Sequence, residues 1–172
     1  MFIKTLFTSM ATLMTAGTIL VSPISHAYDK ALAESYAVMF QPVVGAKAGK
    51  ALHVMKPKMF VEGLKQGKQV VAVDIRTEKE TGLFTLTIPG SLSIPLNKLF
   101  LPENLDQLPT DEVIVVLCQS GVRASAATTA LRHIGFENTY ILKGGFKGLV
   151  AYAGPKEANT PPKVKAEKVT AK

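Results

Sequence analysis

The fold is decided by residues 113–127, whose sequence is VIVVLCQSGVRASAA. Five apolar residues, four of them β-branched, lead directly into Cys118, the only cysteine in the chain. A continuous apolar run of this length is typical of a strand that is buried on both faces of a parallel sheet. The short polar segment after Cys118 contains glycine and predicts a turn, and the alanine-rich segment from Ala124 predicts a helix. Residues 113–127 therefore predict a strand–turn–helix unit of an α/β protein.

Cys118 is a candidate nucleophile because it would lie at the carboxyl end of the predicted strand. Open α/β sheets bind their ligands at the carboxyl ends of the strands. The N-terminal amides and the dipole of the next helix would favour a thiolate at that position, and Arg123 adds a fixed positive charge. The alternative is an inert buried cysteine that packs as a small hydrophobic residue. The polar turn and Arg123 favour the nucleophile.

Residues 1–27 have the pattern of a secretory signal peptide. Lys4 supplies a positive charge, Leu6–Val21 is uncharged and mostly apolar or small, and small residues stand at Ser25 and Ala27. We expect cleavage after Ala27, export to the periplasm or the medium, and no stable membrane anchor after cleavage. A retained anchor is the alternative, but the apolar run is interrupted by Thr and Gly and is short for a membrane span.

Charge and composition restrict the classes of partner. The 172 residues carry a net charge of +7. Residues 28–69 contain seven Lys against three acidic residues and residues 154–172 contain five against two, whereas residues 70–153 have seven basic and eight acidic residues. The positive charge therefore lies in the flanks, without interleaved aromatic residues, which argues against binding to nucleic acid. The single cysteine excludes an internal disulfide.

We predict four segments along the chain. They are a signal peptide (1–27), an N-terminal helix and linker (28–50), one α/β domain (51–153) and a basic disordered tail (154–172). Within the domain, strands alternate with helices, which predicts a parallel central sheet flanked by helices. Strands are predicted at 51–55, 70–76, 92–95, 113–117 and 138–142. Helices are predicted at 29–40, with Asp29 as the candidate cap, at 56–66, at 96–108, with an interruption at Pro102, and at 124–134 and 146–152. Loops are predicted at 41–50 and at 77–87, the second of which has room for a helical turn.

Four motifs, taken in order, resemble those of the rhodanese (sulfurtransferase) domain family. Asp74-Ile75-Arg76 is similar to the family's Asp-x-Arg, and Ile88–Ser91 is similar to its Ile-Pro-Gly-Ala turn. Cys118–Arg123 is similar to its Cys-x-x-Gly-x-Arg loop, and residues 135–145 are similar to its Gly-Phe-x-Asn…Gly-Gly ending. The resemblance extends from about Ala51 to Tyr152 and implies the three-layer rhodanese-like α/β fold.

The length of the loop separates two chemistries that occur on this fold. Related protein phosphatases use Cys-x5-Arg, whereas here four residues lie between Cys118 and Arg123. A tighter ring of backbone N–H groups suits a single terminal sulfur better than a tetrahedral phosphate. Leu117 also stands where a phosphatase would have His. Sulfur transfer is therefore the better interpretation.

The resemblance implies a ping-pong mechanism. Cys118 would take the outer sulfur of a small donor, such as thiosulfate or a persulfide, and become a persulfide itself. It would then pass the sulfur to a thiophilic acceptor, which is cyanide, a thiol or a sulfur-accepting protein. Neither an organic cofactor nor a metal is expected, because no nucleotide-binding glycine motif or metal-ligand cluster is apparent.

The resemblance also assigns roles to the residues around Cys118. The sulfur would be bound by the backbone N–H groups of the loop, contributed by Gln119, Ser120, Gly121, Val122 and Arg123. Asp74 and Arg76 would organise the loop, and Asp74 is the expected partner of Arg123. The alternative for Asp74 and Arg76 is a solvated strand end. No role is assigned to His53 or His133.

Some positions depart from the family pattern. Thr87 stands where many members have His, and Tyr152 stands near the position of a frequent Trp. Gln119 and Ser120 place no positive charge in the loop, which counts against thiosulfate as the physiological donor. Two other functions remain open: a non-enzymatic sulfur-carrier or protein-binding module, and a thiol redox sensor. The sensor is disfavoured because the chain has no second cysteine to resolve an oxidised Cys118.

Overall fold

The structure is a computed structural model that describes residues 27–160. The predicted signal peptide, apart from Ala27, lies outside the described residues, and so does the predicted tail from residue 161 onward. Within the described part of the chain, no helix is long and apolar enough to span a membrane.

A parallel sheet of five strands forms the centre of the molecule. Strands β1 to β5 span Val54–Met55, Val70–Asp74, Leu92–Ser93, Val113–Leu117 and Thr139–Leu142. Their order in the sheet is β1-β5-β4-β2-β3, and every neighbouring pair is parallel. Strand β4 is therefore the middle strand, and its carboxyl end lies at the centre of one edge of the sheet.

Helices connect the strands, and this alternation confirms the predicted fold class. In residues 27–160, helices α1 to α9 span Lys30–Phe40, Ala48–Ala51, Pro57–Lys65, Glu78–Leu83, Leu96–Leu99, Pro102–Leu105, Val122–His133, Gly145–Tyr152 and Pro155–Ala158, with a short 3-10 helix at Gly45–Lys47. The predicted interruption of the 96–108 helix at Pro102 is present, because proline is favoured at the first position of a helix and disfavoured inside one.

The residues of β4 alternate between two layers of helices, because successive side chains of a strand point to opposite faces. Ile114 and Val116 belong to the core beneath α5, α6 and α7. Val115 and Leu117 belong to the core beneath α3 and α8. All four side chains are at most 1% exposed, as expected for a strand that is covered on both faces.

The N-terminal helix α1 begins as predicted, with Asp29 as its cap. The Asp29 carboxylate accepts a hydrogen bond of 3.0 Å from the backbone N–H of Leu32. No residue of α1 is buried. The helix contacts the end of α7 through Tyr36, whose ring stacks on His133 with 4.3 Å between centroids. It is therefore docked on the domain by a small contact.

Two predictions between α1 and β1 are wrong in part. The predicted loop 41–50 contains the 3-10 helix and most of α2, and the predicted strand 51–55 is reduced to β1. Ala51 belongs to α2, and His53 has a φ of +56°, which lies in the left-handed region that strands do not use. The strand can therefore begin only after His53.

The predicted disorder from Gly154 onward is wrong for the first residues of that segment. Helix α9 spans Pro155–Ala158. The ammonium group of Lys65 donates to the carbonyl oxygens of Glu157 at 2.6 Å and Thr160 at 2.7 Å. It also pairs with the Glu157 carboxylate at 3.0 Å. One partly buried lysine on α3 therefore holds a segment whose composition alone predicts no packing.

Candidate active site

Cys118 lies directly after β4, at the carboxyl edge of the sheet, where the sequence places it. Its side chain is buried, with 1% exposure. The backbone N–H of Gly121 donates to the Cys118 sulfur at 3.2 Å. Gly121 has a φ of +97° and immediately precedes α7, so the chain turns from strand to helix over the four residues 118–121. This turn brings a backbone donor back onto the sulfur, and such a donor stabilises negative charge there.

The loop presents further backbone donors. Among the described residues, the N–H groups of Gln119 and Ser120 donate to no acceptor, and both residues are exposed. Val122 and Arg123 are the first two residues of α7, and N–H groups in the first turn of a helix have no partner within the helix. The segment Gln119–Arg123 therefore has the chemistry of a binding site for a negatively charged atom.

The start of α8 supports the loop from behind. The backbone N–H of Phe146 donates to the Cys118 carbonyl at 2.7 Å, and that of Lys147 donates to the Gln119 carbonyl at 3.1 Å. Gly145 lies so close that a Cβ atom on it would be 2.1 Å from the Cys118 carbonyl oxygen. Gly145 is therefore the point at which α8 fixes the position of the loop.

Arg123 pairs with Glu80, so the predicted pairing of Arg123 with Asp74 is wrong. Its two terminal nitrogens donate to the two Glu80 carboxylate oxygens at 2.8 and 3.0 Å. Glu80 is held in place by Thr77, the cap of α4: the Thr77 N–H and hydroxyl each donate to Glu80 Oε2 at 2.8 Å, and the Glu80 N–H donates to the Thr77 hydroxyl at 3.3 Å. This reciprocal capping box aims the carboxylate at Arg123.

The hydrogen bonds from Arg123 and from Thr77 lower the pKa of Glu80 from its ordinary value of 4.5 to about 2. The pKa of Arg123 is raised, first by its hydrogen bond to Glu80 and to a smaller extent by the nearby sulfur of Cys118. Both members of the pair are therefore charged at neutral pH. Because Glu80 balances its charge, Arg123 contributes orientation to the loop more than it contributes net positive charge.

Asp74 is paired with Arg76 instead, and the two do not form a solvated strand end. Asp74 is 1% and Arg76 is 2% exposed. Arg76 Nε donates to both Asp74 carboxylate oxygens at 3.0 and 2.9 Å, and its terminal Nη2 donates to Oδ2 at 2.7 Å. With its carboxylate engaged in this way, Asp74 is not the partner of Arg123.

Arg76 reaches the loop through α8. Its guanidinium group lies over the ring of Phe146, 3.8 Å from the ring centroid. It also donates to the carbonyl of Phe84, just after α4, at 2.6 Å. Since the Phe146 backbone N–H donates a hydrogen bond to the Cys118 carbonyl, Phe146 connects Arg76 to the residue that carries the candidate nucleophile. Asp74 and Arg76 are therefore placed to support the loop indirectly.

A cavity of about 790 Å³ opens beside Arg123, between α4 and α5. Thr77, Lys79, Asn97 and Lys98 are among its lining residues. Its volume is within the range of small-molecule sites. Its lining includes Arg123 but neither Cys118 nor residues 119–122. In residues 27–160, no group of three or more His, Cys, Asp or Glu side chains is arranged to hold a metal ion.

His53 and His133 lie at the opposite, amino edge of the sheet. His133 contacts Ser35 through Nε2 and stacks on Tyr36. His53 Nδ1 lies 3.1 Å from the Thr139 carbonyl oxygen. Both line a cleft of about 840 Å³ that does not include Cys118. Neither histidine is near the candidate nucleophile.

Sequence reasoning missed three residues of this site: Glu80, Gly145 and Phe146. The Thr-x-x-Glu spacing of Thr77 and Glu80 is the signature of a capping box, and it was available in the sequence. No local signal identifies Gly145 and Phe146 as neighbours of Cys118, because their contact joins distant parts of the chain.

Comparison with known proteins gives a family match over most of the described chain. Residues 56–152 match the model of the family described as Rhodanese-like domain. The sulfurtransferase of Allochromatium vinosum is 31% identical over 86 residues, which cover 50% of this chain and 74% of that protein. The chain spans about a quarter of the length of the first curated relatives that it matches. One of these is the probable adenylyltransferase/sulfurtransferase MoeZ of Mycobacterium tuberculosis, 31% identical over 56% of this chain and 24% of that protein.

A solved structure has the same fold. It is a rhodanese-related protein from Thermoplasma volcanium, and it aligns with a TM-score of 0.50 and 24% identity over 60% of this chain and 95% of the other. This likeness supports the arrangement of strands and helices that surrounds Cys118.

Proposed function

This chain belongs to the rhodanese-like domain family, and we propose that it is an exported sulfurtransferase that carries sulfane sulfur on Cys118. The observation that carries the proposal is the hydrogen bond of 3.2 Å from the Gly121 N–H to the Cys118 sulfur. It lies inside a loop in which only four residues separate Cys118 from Arg123. The loop provides a nucleophile and a ring of backbone donors within one turn of chain.

In the first half-reaction the Cys118 thiolate attacks the outer sulfur of the donor. A bond forms between Sγ and that sulfur, and the bond between the outer sulfur and the rest of the donor breaks. The leaving group departs with the electron pair, as sulfite from thiosulfate or as a thiolate from a persulfide. Cys118 becomes a persulfide, and no external oxidant or reductant is needed.

In the second half-reaction a thiophilic acceptor, such as cyanide or a thiol, attacks the outer sulfur of the persulfide. The new bond joins the acceptor to that sulfur, the bond to Sγ breaks, and Cys118 recovers its electron pair as a thiolate. The backbone N–H groups of Gln119–Arg123 stabilise the negative charge on the sulfur in both steps, because they are oriented before the reaction begins.

We expect the donor to be a persulfide in preference to thiosulfate. The loop side chains Gln119 and Ser120 carry no charge, and the charge of Arg123 is balanced by Glu80 at 2.8 Å. A doubly charged donor such as thiosulfate therefore meets little compensating charge at the loop. The 790 Å³ cavity meets the loop at Arg123, and its volume is sufficient for the body of an organic persulfide whose sulfur reaches Cys118.

A non-enzymatic sulfur carrier or protein-binding module is the second candidate, and the 1% exposure of Cys118 favours it. A sulfur buried in this loop reacts slowly unless the acceptor is small enough to reach it. Steady-state kinetics with glutathione persulfide as donor and cyanide as acceptor separate the two candidates. Parallel double-reciprocal lines with turnover abolished in Cys118→Ser support the enzyme. A single stoichiometric transfer without turnover supports the carrier.

Export is the part of the proposal that rests on the sequence pattern of residues 1–27 alone. Expression of the full chain in a bacterial host with an intact secretion pathway tests it. We expect the periplasmic product to begin at Tyr28, as read by N-terminal sequencing. An intact Met1 on a cytoplasmic or membrane-bound product would contradict export.

A further inference from the structure

Three lysines converge on a cavity that lies apart from Cys118, beside the edge strand β1. The cavity has a volume of about 600 Å³, and Lys50, Lys56 and Lys143 are part of its lining. We refer to it as the lysine-rimmed cavity. The three lysines come from α2, from the residue before α3 and from the residue after β5, so the fold brings Lys143 to two lysines of a much earlier part of the chain.

None of these three ammonium groups has a partner within residues 27–160. The ion pairs and side-chain hydrogen bonds of the described residues include neither Lys50, Lys56 nor Lys143. No Asp or Glu of this part of the chain lines the cavity. The rim therefore carries uncompensated positive charge, which favours an anion.

Part of the cavity lining is apolar and aromatic. Met55, Met59 and Tyr140 contribute to it, and Met59 is 59% exposed. Methionine side chains adapt to ligands of irregular shape, and a tyrosine ring gives an apolar body a flat face. A lining that combines three lysines with apolar side chains is complementary to a molecule with an anionic end and an apolar body.

His53 also lines this cavity. It is the only residue other than glycine with a positive φ in residues 27–160, at +56°. Its ring stacks on Tyr140 with 4.7 Å between centroids. Burial, and secondarily the charge of Arg132, lowers the pKa of His53, so the ring is neutral at physiological pH. Backbone strain of this kind is concentrated at ligand-binding sites.

We propose that the lysine-rimmed cavity binds a small organic anion with an apolar body, such as a medium-chain carboxylate. The carboxylate lies among Lys50, Lys56 and Lys143, and the apolar chain lies against Met55, Met59 and Tyr140. The site is separate from the sulfur chemistry of Cys118, and binding there does not depend on the proposed function.

Titration of the ¹⁵N-labelled chain with octanoate, followed by amide chemical shifts, tests this proposal. We expect saturable shifts centred on Val54–Met59 and Tyr140, weaker binding of the uncharged 1-octanol, and no saturable shift with acetate. Equal binding of octanol and octanoate, or shifts spread over the whole surface, would overturn the proposal.

Lysine variants give the second arm of the test. Lys50→Gln combined with Lys56→Gln should raise the octanoate Kd by about tenfold, at about threefold for each exposed charge removed. The matched control is Lys58→Gln, which removes a lysine of α3 that pairs with Glu62 at 3.9 Å and does not line the cavity. The control should leave the Kd within about twofold of the unmodified chain.

An equal loss in the control and the double variant would overturn the site, because it would mean general electrostatic attraction. Binding to phosphatidylglycerol vesicles without a saturable octanoate site would also overturn it, and would assign the lysines to a membrane surface. Sulfur loading of Cys118 should be the same in all of these variants, so a failure here is distinguishable from a failure of the proposed function.

Discussion

The molecule contains two arginine–carboxylate pairs of similar geometry in different surroundings. Arg76 and Asp74 are joined by bonds of 2.7 to 3.0 Å and their side chains are each 2% exposed. Arg123 and Glu80 are joined by bonds of 2.8 and 3.0 Å, but their side chains are 35% and 29% exposed. Arg123 is part of the Cys118 loop, and Arg76 contacts Phe146, whose backbone N–H donates to the Cys118 carbonyl.

The difference in burial separates two roles. A buried pair contributes little net stability compared with apolar residues, but the loss of one partner leaves an unpaired charge without water, which is costly. A half-exposed pair contributes at most modest stability. We infer that Arg76–Asp74 holds β2, α4 and α8 together, and that Arg123–Glu80 orients the reactive loop. The following experiments test this division.

The largest expected effect is on folding. Asp74→Asn leaves the buried guanidinium of Arg76 without its counter-charge and should lower the free energy of unfolding by about 3–5 kcal/mol. The matched change Glu80→Gln should cost less than about 1 kcal/mol. Urea unfolding at neutral pH measures both. A larger loss for Glu80→Gln than for Asp74→Asn would reverse the assignment.

The next effect tests whether α8 positions the loop. Gly145→Ala places a Cβ atom 2.1 Å from the Cys118 carbonyl oxygen, so the loop or α8 has to move. The overpacking should cost about 1–3 kcal/mol and abolish sulfur loading.

Gly67→Ala is the control for this variant. Gly67 has a φ of +69°, compared with +57° at Gly145, but open space lies where its Cβ would be. It should carry only the cost of the left-handed conformation, about 1–2 kcal/mol, with sulfur loading intact. Normal loading in Gly145→Ala would show that the loop does not depend on α8.

The half-exposed pair should affect rate more than stability. Arg123→Lys keeps the charge but loses the planar, two-pronged contact with Glu80. We expect the rate of sulfur loading to fall by about tenfold, as a misplaced loop reduces the fraction of productive geometry. The free energy of unfolding should change by less than about 1 kcal/mol. Single-turnover kinetics and urea unfolding of the same sample distinguish a role in orienting the loop from a role in stability. A large loss of stability with a normal rate of sulfur loading would contradict the role in orienting the loop.

The smallest effect is in the pH dependence of stability. The pKa of Glu80 is lowered to about 2 in the folded chain, so its ionised form stabilises the fold. This contribution is complete above the ordinary pKa of 4.5 and is lost as the pH falls toward 2. The difference in unfolding free energy between the unmodified chain and Glu80→Gln should therefore shrink between pH 5 and about 2. A constant difference across this range would show that Glu80 is not held by Arg123.

The sequence was sufficient for the features that depend on local pattern. The apolar run before Cys118, the glycine-containing turn and the helix after it follow from neighbouring residues, and the structure has β4, the loop and α7 in those places. The order of strands and helices predicted the parallel sheet, because crossover connections of this kind have one geometry.

The partners of the two arginines were not predicted, although the sequence contains a pattern that bears on each pairing. Asp74 and Arg76 are two residues apart, and side chains at that spacing along an extended chain lie on the same face. That rule favours their pairing with each other over a bond from Asp74 to Arg123. The Arg123–Glu80 contact joins residues 43 positions apart, and only the capping-box spacing of Thr77 and Glu80 indicated that the carboxylate would be fixed.

The contacts of Gly145 and Lys65 could not be predicted from pattern. Gly145 meets Cys118 because β5 returns the chain to the side of β4. Lys65 holds Glu157 and Thr160, more than ninety residues away. Contacts of this kind depend on how the finished elements pack, and composition carries no information about them.

The central claim is that Cys118 carries sulfur covalently. The most direct test is the intact mass of residues 28–172 after incubation with thiosulfate or glutathione persulfide, with Cys118→Ser as the control. We predict a gain of one sulfur, about 32 Da, in the unmodified chain, and none in the variant. The absence of this gain with either donor, at a cysteine that an alkylating agent still modifies, would contradict the account.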